Sequence, residues 1–138
     1  MASIDAVRQA LKTRLDGISG LNAYADWPGS FNVPGAIVLP VAPDATDRTL
    51  GNSSLTEYGF EIVMAVGMAG PLEESQRQLD DYTSPSGSKS IRAAIVGDRT
   101  LGGSAISTFF AAWDRPSDES INGVNYLAQH LTMRVWTE

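Results

Sequence analysis

Cysteine is missing altogether from the 138 residues. Disulfides, thiolate nucleophiles and cysteine-based metal sites are therefore excluded. Histidine occurs once, at His130. A lone histidine in a strand, with no CxxC or HExxH beside it, reads as a half-buried or exposed side chain rather than as a ligand or catalytic base. Basic residues are few: 10 Lys and Arg stand against 16 Asp and Glu, for a net charge of −6. A surface of that balance does not grip nucleic acid, because such grip depends on neutralising phosphates. No apolar run approaches the roughly 20 residues that span a bilayer. Met1–Ala6 has neither the basic start nor the apolar stretch of a secretory signal. The expected setting is soluble and intracellular, with no membrane partner. Neither GxxxxGK[ST] nor GxGxxG is present, so no phosphate cradle is signalled.

What is present is an ordinary globular composition. Hydrophobic residues make up 43% and charged residues 19%, which suits one domain over residues 1–138 with a proper core. The order of elements starts with an amphipathic helix over 3–16. Ser3 is its expected N-cap, and Ile4, Val7, Leu11 and Leu15 form one face. A short edge strand follows at 21–26. Residues 27–34 hold two prolines and a glycine and form a loop. In it, Trp27 and Phe31 either pack as satellite core or belong to an interface. Gly35–Pro43 reads as a strand that Pro40 turns into an edge or a bulge. The polar stretch 44–56 is either a long loop or the two arms of an extended hairpin. The alternation of Tyr58, Phe60, Ile62, Met64 and Val66 makes 55–67 the clearest strand.

A helix over 71–82 comes next, with Asp80 and Asp81 at its end. Ser84–Gly103 then turns, forms a short helix capped by Ser88 or Ser90, and ends at Gly97 in a left-handed conformation. Ala93 and Ala94 are expected to let this helix lie close to a sheet, and Gly102 and Gly103 to bend the chain again. A strand with a break covers 104–114. Residues 116–123 are a turn, and 124–137 a last strand that forms a hairpin with 104–114. The fold class is therefore α+β, with one mainly antiparallel sheet and helices packed on one side of it.

No residue set calls for chemistry. Asp80, Asp81 and Asp98 match no metal-loop spacing and read as solvated helix ends and a turn. Arg92 and Arg99 are expected to pair with carboxylates. Catalytic, cofactor-binding and metal residues are all read as none.

Across nearly its whole length the chain resembles the tail terminator proteins of long-tailed bacteriophages, of the actinobacteriophage type. The resemblance rests on the N-terminal helix ending before Gly20–Leu21, the Trp27–Pro28 loop leading to Pro34–Val38, and Phe60–Val63. It continues through Leu79–Tyr82, the run Ser86–Ile95, the run Asp98–Gly103 and the closing Gly123–Tyr126. It implies the tail terminator fold and a virion protein with no catalytic residues. Such a protein forms a hexameric ring at the head-proximal end of the tail tube. It ends tube polymerisation and docks to the head–tail connector, or stopper, while genomic DNA passes through without sequence-specific binding. Assembly would take place in the host cytoplasm. Segment 44–56 would be an arm to a neighbouring subunit or the tube. The candidate interface residues are Trp27, Phe31, Arg48, Leu50 and Asn52. A head-closure or other head–tail joining protein is the alternative, and a small enzyme using Asp80, Asp81 and His130 ranks behind both.

Overall fold

The computed structural model describes residues 4–26, 28–50, 53–68, 72–103, 105 and 107–137; at 4, 41–50, 53–57, 72, 107, 109, 111 and 112 the description is of the backbone. Helix α1 spans Ile4–Asp16. Val7, Leu11 and Leu15 recur every four residues on one face and are fully buried. The outer face is laced by charge. Arg8 pairs with Asp5 at 3.1 Å and with Asp26 at 2.9 Å, and Lys12 with Asp16 at 2.8 Å. Ser3, the expected N-cap, lies outside the described residues.

Strands β1 (Asn22–Tyr24), β2 (Gly35–Leu50) and β3 (Ser53–Val66) follow. β1 pairs with β2 in parallel, and β2 with β3 antiparallel. The stretch 44–56 is thus the extended hairpin of the two alternatives. Its register runs from Ala45↔Tyr58 to Leu50↔Ser53, after an irregularity between Pro40 and Ala45. A proline cannot donate to a ladder, so the break falls where the sequence places it.

Helices α2 (Leu72–Thr83) and α3 (Ile91–Val96) precede a 3-10 turn at Leu101–Gly103. Strands β4 (Ser107–Trp113), β5 (Ser117–Ile121) and β6 (Val124–Thr137) complete the sheet. Its order is β1-β2-β3-β6-β4, with β5 also on β6. Every pairing except β1–β2 is antiparallel. The expected α+β class and mainly antiparallel sheet are therefore present in a single small domain.

All three helices pack on one sheet face. Val7, Leu11, Leu15, Leu79, Tyr82, Ile91 and Ile95 join Phe60, Ile62, Met64, Leu131 and Met133 in one core. The opposite face carries a smaller cluster of Ile37, Val63, Ala65, Ile121, Tyr126 and Ala128.

Several local expectations are corrected. Residues 117–121 are strand, not turn, so the tight hairpin is β5–β6, turning at Asn122–Gly123 with φ of 52° and 83°. Two successive residues with positive φ suit the twist of a two-residue hairpin. β4 reaches β6 only across this insertion. Gly97 is right-handed, with φ −59°. A Cβ there would sit 2.9 Å from Nη2 of Arg14, so a side chain would push aside the guanidinium that the Ala94 carbonyl holds. The carbonyl of Ala94 accepts from Nε and Nη2 of Arg14 at 3.0 and 2.6 Å, while Ala94 itself packs at the border of the helical-face core. Ser90 is the cap, with its Oγ accepting from the amide of Ala93 at 3.1 Å. Gly102 and Gly103 do bend the chain, with φ of 69° and 96°.

Candidate functional site

Three places merit description: the distal β2–β3 hairpin, the aromatic platform under residues 28–34, and the surroundings of His130.

The hairpin extends beyond its neighbouring strands in the pairing of the described residues. β6 pairs with β3 only from Thr56, opposite Thr137, onward. The pairs Arg48↔Leu55, Thr49↔Ser54 and Leu50↔Ser53 lie beyond that limit. On the other side β1 pairs with β2 only at Gly35, Ala36 and Ile37. Among the described residues, the outer edge of β2 from 38 onward has no strand beside it. An open edge of this kind offers rows of backbone donors and acceptors to another chain. Arg48 and Leu50 are on this arm. Asn52 lies outside the described residues.

The platform is built at the opposite end of β2. The Phe31 ring lies 5.3 Å from that of Tyr24 and 5.3 Å, edge-on, from that of Tyr126. Such tilted and edge-on geometry suits the ring quadrupoles. The amide of Asn32 donates to the Tyr24 hydroxyl at 3.0 Å. Asn122 in the β5–β6 turn donates to the Pro28 carbonyl at 3.0 Å. Gly35 makes room for this packing. A Cβ there would come within 2.6 Å of both the Asn32 carbonyl oxygen and the Phe31 ring. Phe31 is thus half-buried in the smaller cluster, and Trp27 lies outside the described residues. Because Gly35 and Leu50 bound the two ends of β2, Phe31 does not share a patch with Arg48 and Leu50.

His130 sits on the same open face, opposite Val63 in the register. Glu61 from β3 contacts its Nδ1, and Glu119 from β5 contacts its Nε2 at 2.5 Å. Its backbone is fixed by Asp114, whose carboxylate accepts from the His130 amide at 2.8 Å and whose amide donates to the His130 carbonyl at 3.0 Å. Burial pushes the imidazole below its ordinary value. Burial, aided by the nearby charge of Asp114, pushes Glu119 above the usual carboxylate range. Both ring nitrogens are engaged, so neither is available to a substrate in this arrangement. Sequence reading missed the site because Glu61 is distant in the chain and Glu119 lies in a segment read as turn. The even spacing of Glu119 and Ile121 before Asn122–Gly123 was the signal that could have revealed β5.

The other residues considered for chemistry do not converge. Asp80 accepts from Gln76 Nε2 at 2.8 Å. Asp98 closes its own turn, accepting from Thr100 Oγ1 at 2.7 Å and the Gly102 amide at 2.8 Å. The Thr100 hydroxyl, then the Gly102 amide, hold its carboxyl below the usual range. Among the described residues no group of three His, Asp or Glu could hold a metal ion. Arg92 lies over the Phe110 ring, 5.7 Å from its centroid, and Arg99 donates to the Thr108 carbonyl at 2.8 Å. These contacts are with a ring and a carbonyl, where carboxylates were expected. A cleft of about 400 Å³ between α1 and α3, lined by Thr13, Arg14, Ser88 and Ala94 among others, has its charged group already committed to Ala94.

No protein-family model matches the chain, and no curated protein matches it in sequence. Among the described residues no helix is long and apolar enough to cross a membrane.

Proposed function

We propose that this chain is a ring-forming structural protein of a phage virion, of the tail terminator kind. In this reading copies of the chain, six in the ring, cap the head-proximal end of the tail tube. They stop its growth and present the surface on which the head–tail connector docks. The observation that carries the reading is the β2–β3 hairpin, which among the described residues extends beyond the Thr56↔Thr137 pair and has no strand on its outer edge from 38 onward. An edge of that length is a liability in a lone chain and an asset where a neighbouring copy or a tube subunit pairs with it. The net charge of −6 supports a channel through which DNA slides, since acidic walls repel phosphate. The sequence resemblance supplies the identity of the assembly.

The test is the solution mass of the free protein, with particle imaging of protein mixed with tail tubes. A ring, free or seated on one tube end, is the expected result. A monomer that ignores tubes and binds head connectors would replace this reading with that of a head-closure protein. A monomer indifferent to both would overturn it.

A further inference from the structure

The two carboxylates on His130 impose a proton count. Ionised carboxylates only accept hydrogen bonds, and a neutral imidazole has one N–H. Glu61 on Nδ1 and Glu119 on Nε2 make two contacts with one ring. Two such hydrogen bonds require two protons. Glu61, His130 and Glu119 together therefore hold one proton more than a neutral imidazole with two carboxylates.

The surroundings say where it resides. Glu61 faces the ring from β3, Glu119 from β5, and Asp114 meets its backbone from the end of β4. On β6 itself, Ala128 and Thr132 are the neighbours on that face, with Arg134 one step further. Burial disfavours the imidazolium and the Glu119 carboxylate alike. Both effects place the extra proton in the Nε2–Glu119 contact, with Nδ1–H donated to Glu61. When that proton leaves for solvent, Nε2 and the carboxylate face each other as two acceptors, and the contact is lost.

We propose that Glu61, His130 and Glu119 form a proton-operated clamp that fastens β5 to the sheet while the shared proton is bound and releases it when the proton leaves. Glu119 of β5 meets His130 of β6, which in turn meets Glu61 of β3. Loosening β5 also slackens the turn that holds Pro28 through Asn122. The loop carrying Phe31 is thereby tied to the same event.

The sign follows from Glu119. Its folded-state value is raised, so its contribution is fully present below its ordinary value of 4.5 and fades as pH rises through the folded value. That of His130 is lowered, so its contribution has the opposite sign, present above 6.5 and lost as pH falls. The fastening of β5 is read on Glu119 because Glu119 is the member of the cluster on β5. The single histidine makes the ring signals unambiguous. The experiment is amide hydrogen exchange, corrected for intrinsic rates, with ¹⁵N signals of the ring, scanned from about pH 5 to about pH 9. Protection of β5 amides is expected to fall about tenfold with rising pH, in step with the ring signals, as one charged hydrogen bond is lost. The β2–β3 amides should hold. Glu119→Gln, whose amide cannot release its proton, should keep β5 at the higher protection throughout, and Glu119→Ala should hold it at the lower protection at every pH. Constant protection of β5 in the unaltered chain would overturn the clamp. So would a Glu119→Gln variant that follows the same pH dependence, or a ring Nε2 without a hydrogen-bonded proton at the acid end.

Discussion

The two faces of one sheet are built on different terms. Under the helices, Phe60, Ile62, Met64, Leu131 and Met133 meet side chains from α1, α2 and α3 in a large apolar core, with Ser75, Ser90, Thr108, Gln129 and Thr137 buried beside it. On the other face a smaller cluster is sealed by a loop and a short strand, and its border is polar: Phe31 over Gly35, Asn122 on Pro28, and three side chains sharing a proton. The same strands supply both, because alternate residues of a strand point to opposite sides. Burial of large side chains is non-directional and tolerant. Polar closure depends on particular partners being present in particular protonation states. The helical face should therefore set global stability, and the open face should set local order.

The largest break in this contrast is Phe60→Ala. Phe60 is fully buried at the centre of the helical face, and its truncation should cost about 3–5 kcal/mol, read from denaturant unfolding. A smaller loss, about 1–3 kcal/mol, is expected for Gly35→Ala, which overpacks the open face against a backbone oxygen and the Phe31 ring. It should also raise exchange of the β1 and β5 amides before the rest of the sheet. Equal destabilisation by the two variants, with no local signature in the second, would erase the distinction. The smallest effect is an acid one. Asp98 closes the turn beside the core residue Leu101 and is held below its ordinary value of 3.8. Its contribution is present above that value and lost as pH falls through the lower folded one. Asp98→Asn should flatten this acid limb of the stability curve, measured by unfolding below about pH 4. The two faces would then respond to pH in opposite directions, through Asp98 on one and Glu119 on the other.

The helical face is the part a linear reading reaches. Val7, Leu11 and Leu15 announce α1 by spacing alone, and Tyr58 to Val66 announce β3. The hairpin was one of two alternatives because polar residues at 44–56 carry no period. β5 was hidden since Ser117–Ile121 has one buried apolar residue and is a strand only because β6 is beside it. The residues around His130 come from three strands, and no spacing in the chain relates Glu61 to Glu119. Gly97 reads from the sequence as a left-handed helix end, whereas its φ is right-handed and the group nearest a Cβ there is Arg14, a tertiary contact. Local periodicity is written in neighbours along the chain. Polar closure is written in neighbours across the sheet.

One consequence concerns time. β6 is the last strand in the chain, yet it is the partner of β3, β4 and β5. As the chain emerges during synthesis, β1, β2 and β3 can pair at once, while β4 and β5 wait for a strand that does not yet exist. β5 and β6 can meet as a local hairpin, whereas the β3–β6 and β4–β6 pairs join residues distant in sequence, which is the slow kind of contact to form. Until then β3 offers its inner edge to any strand that passes.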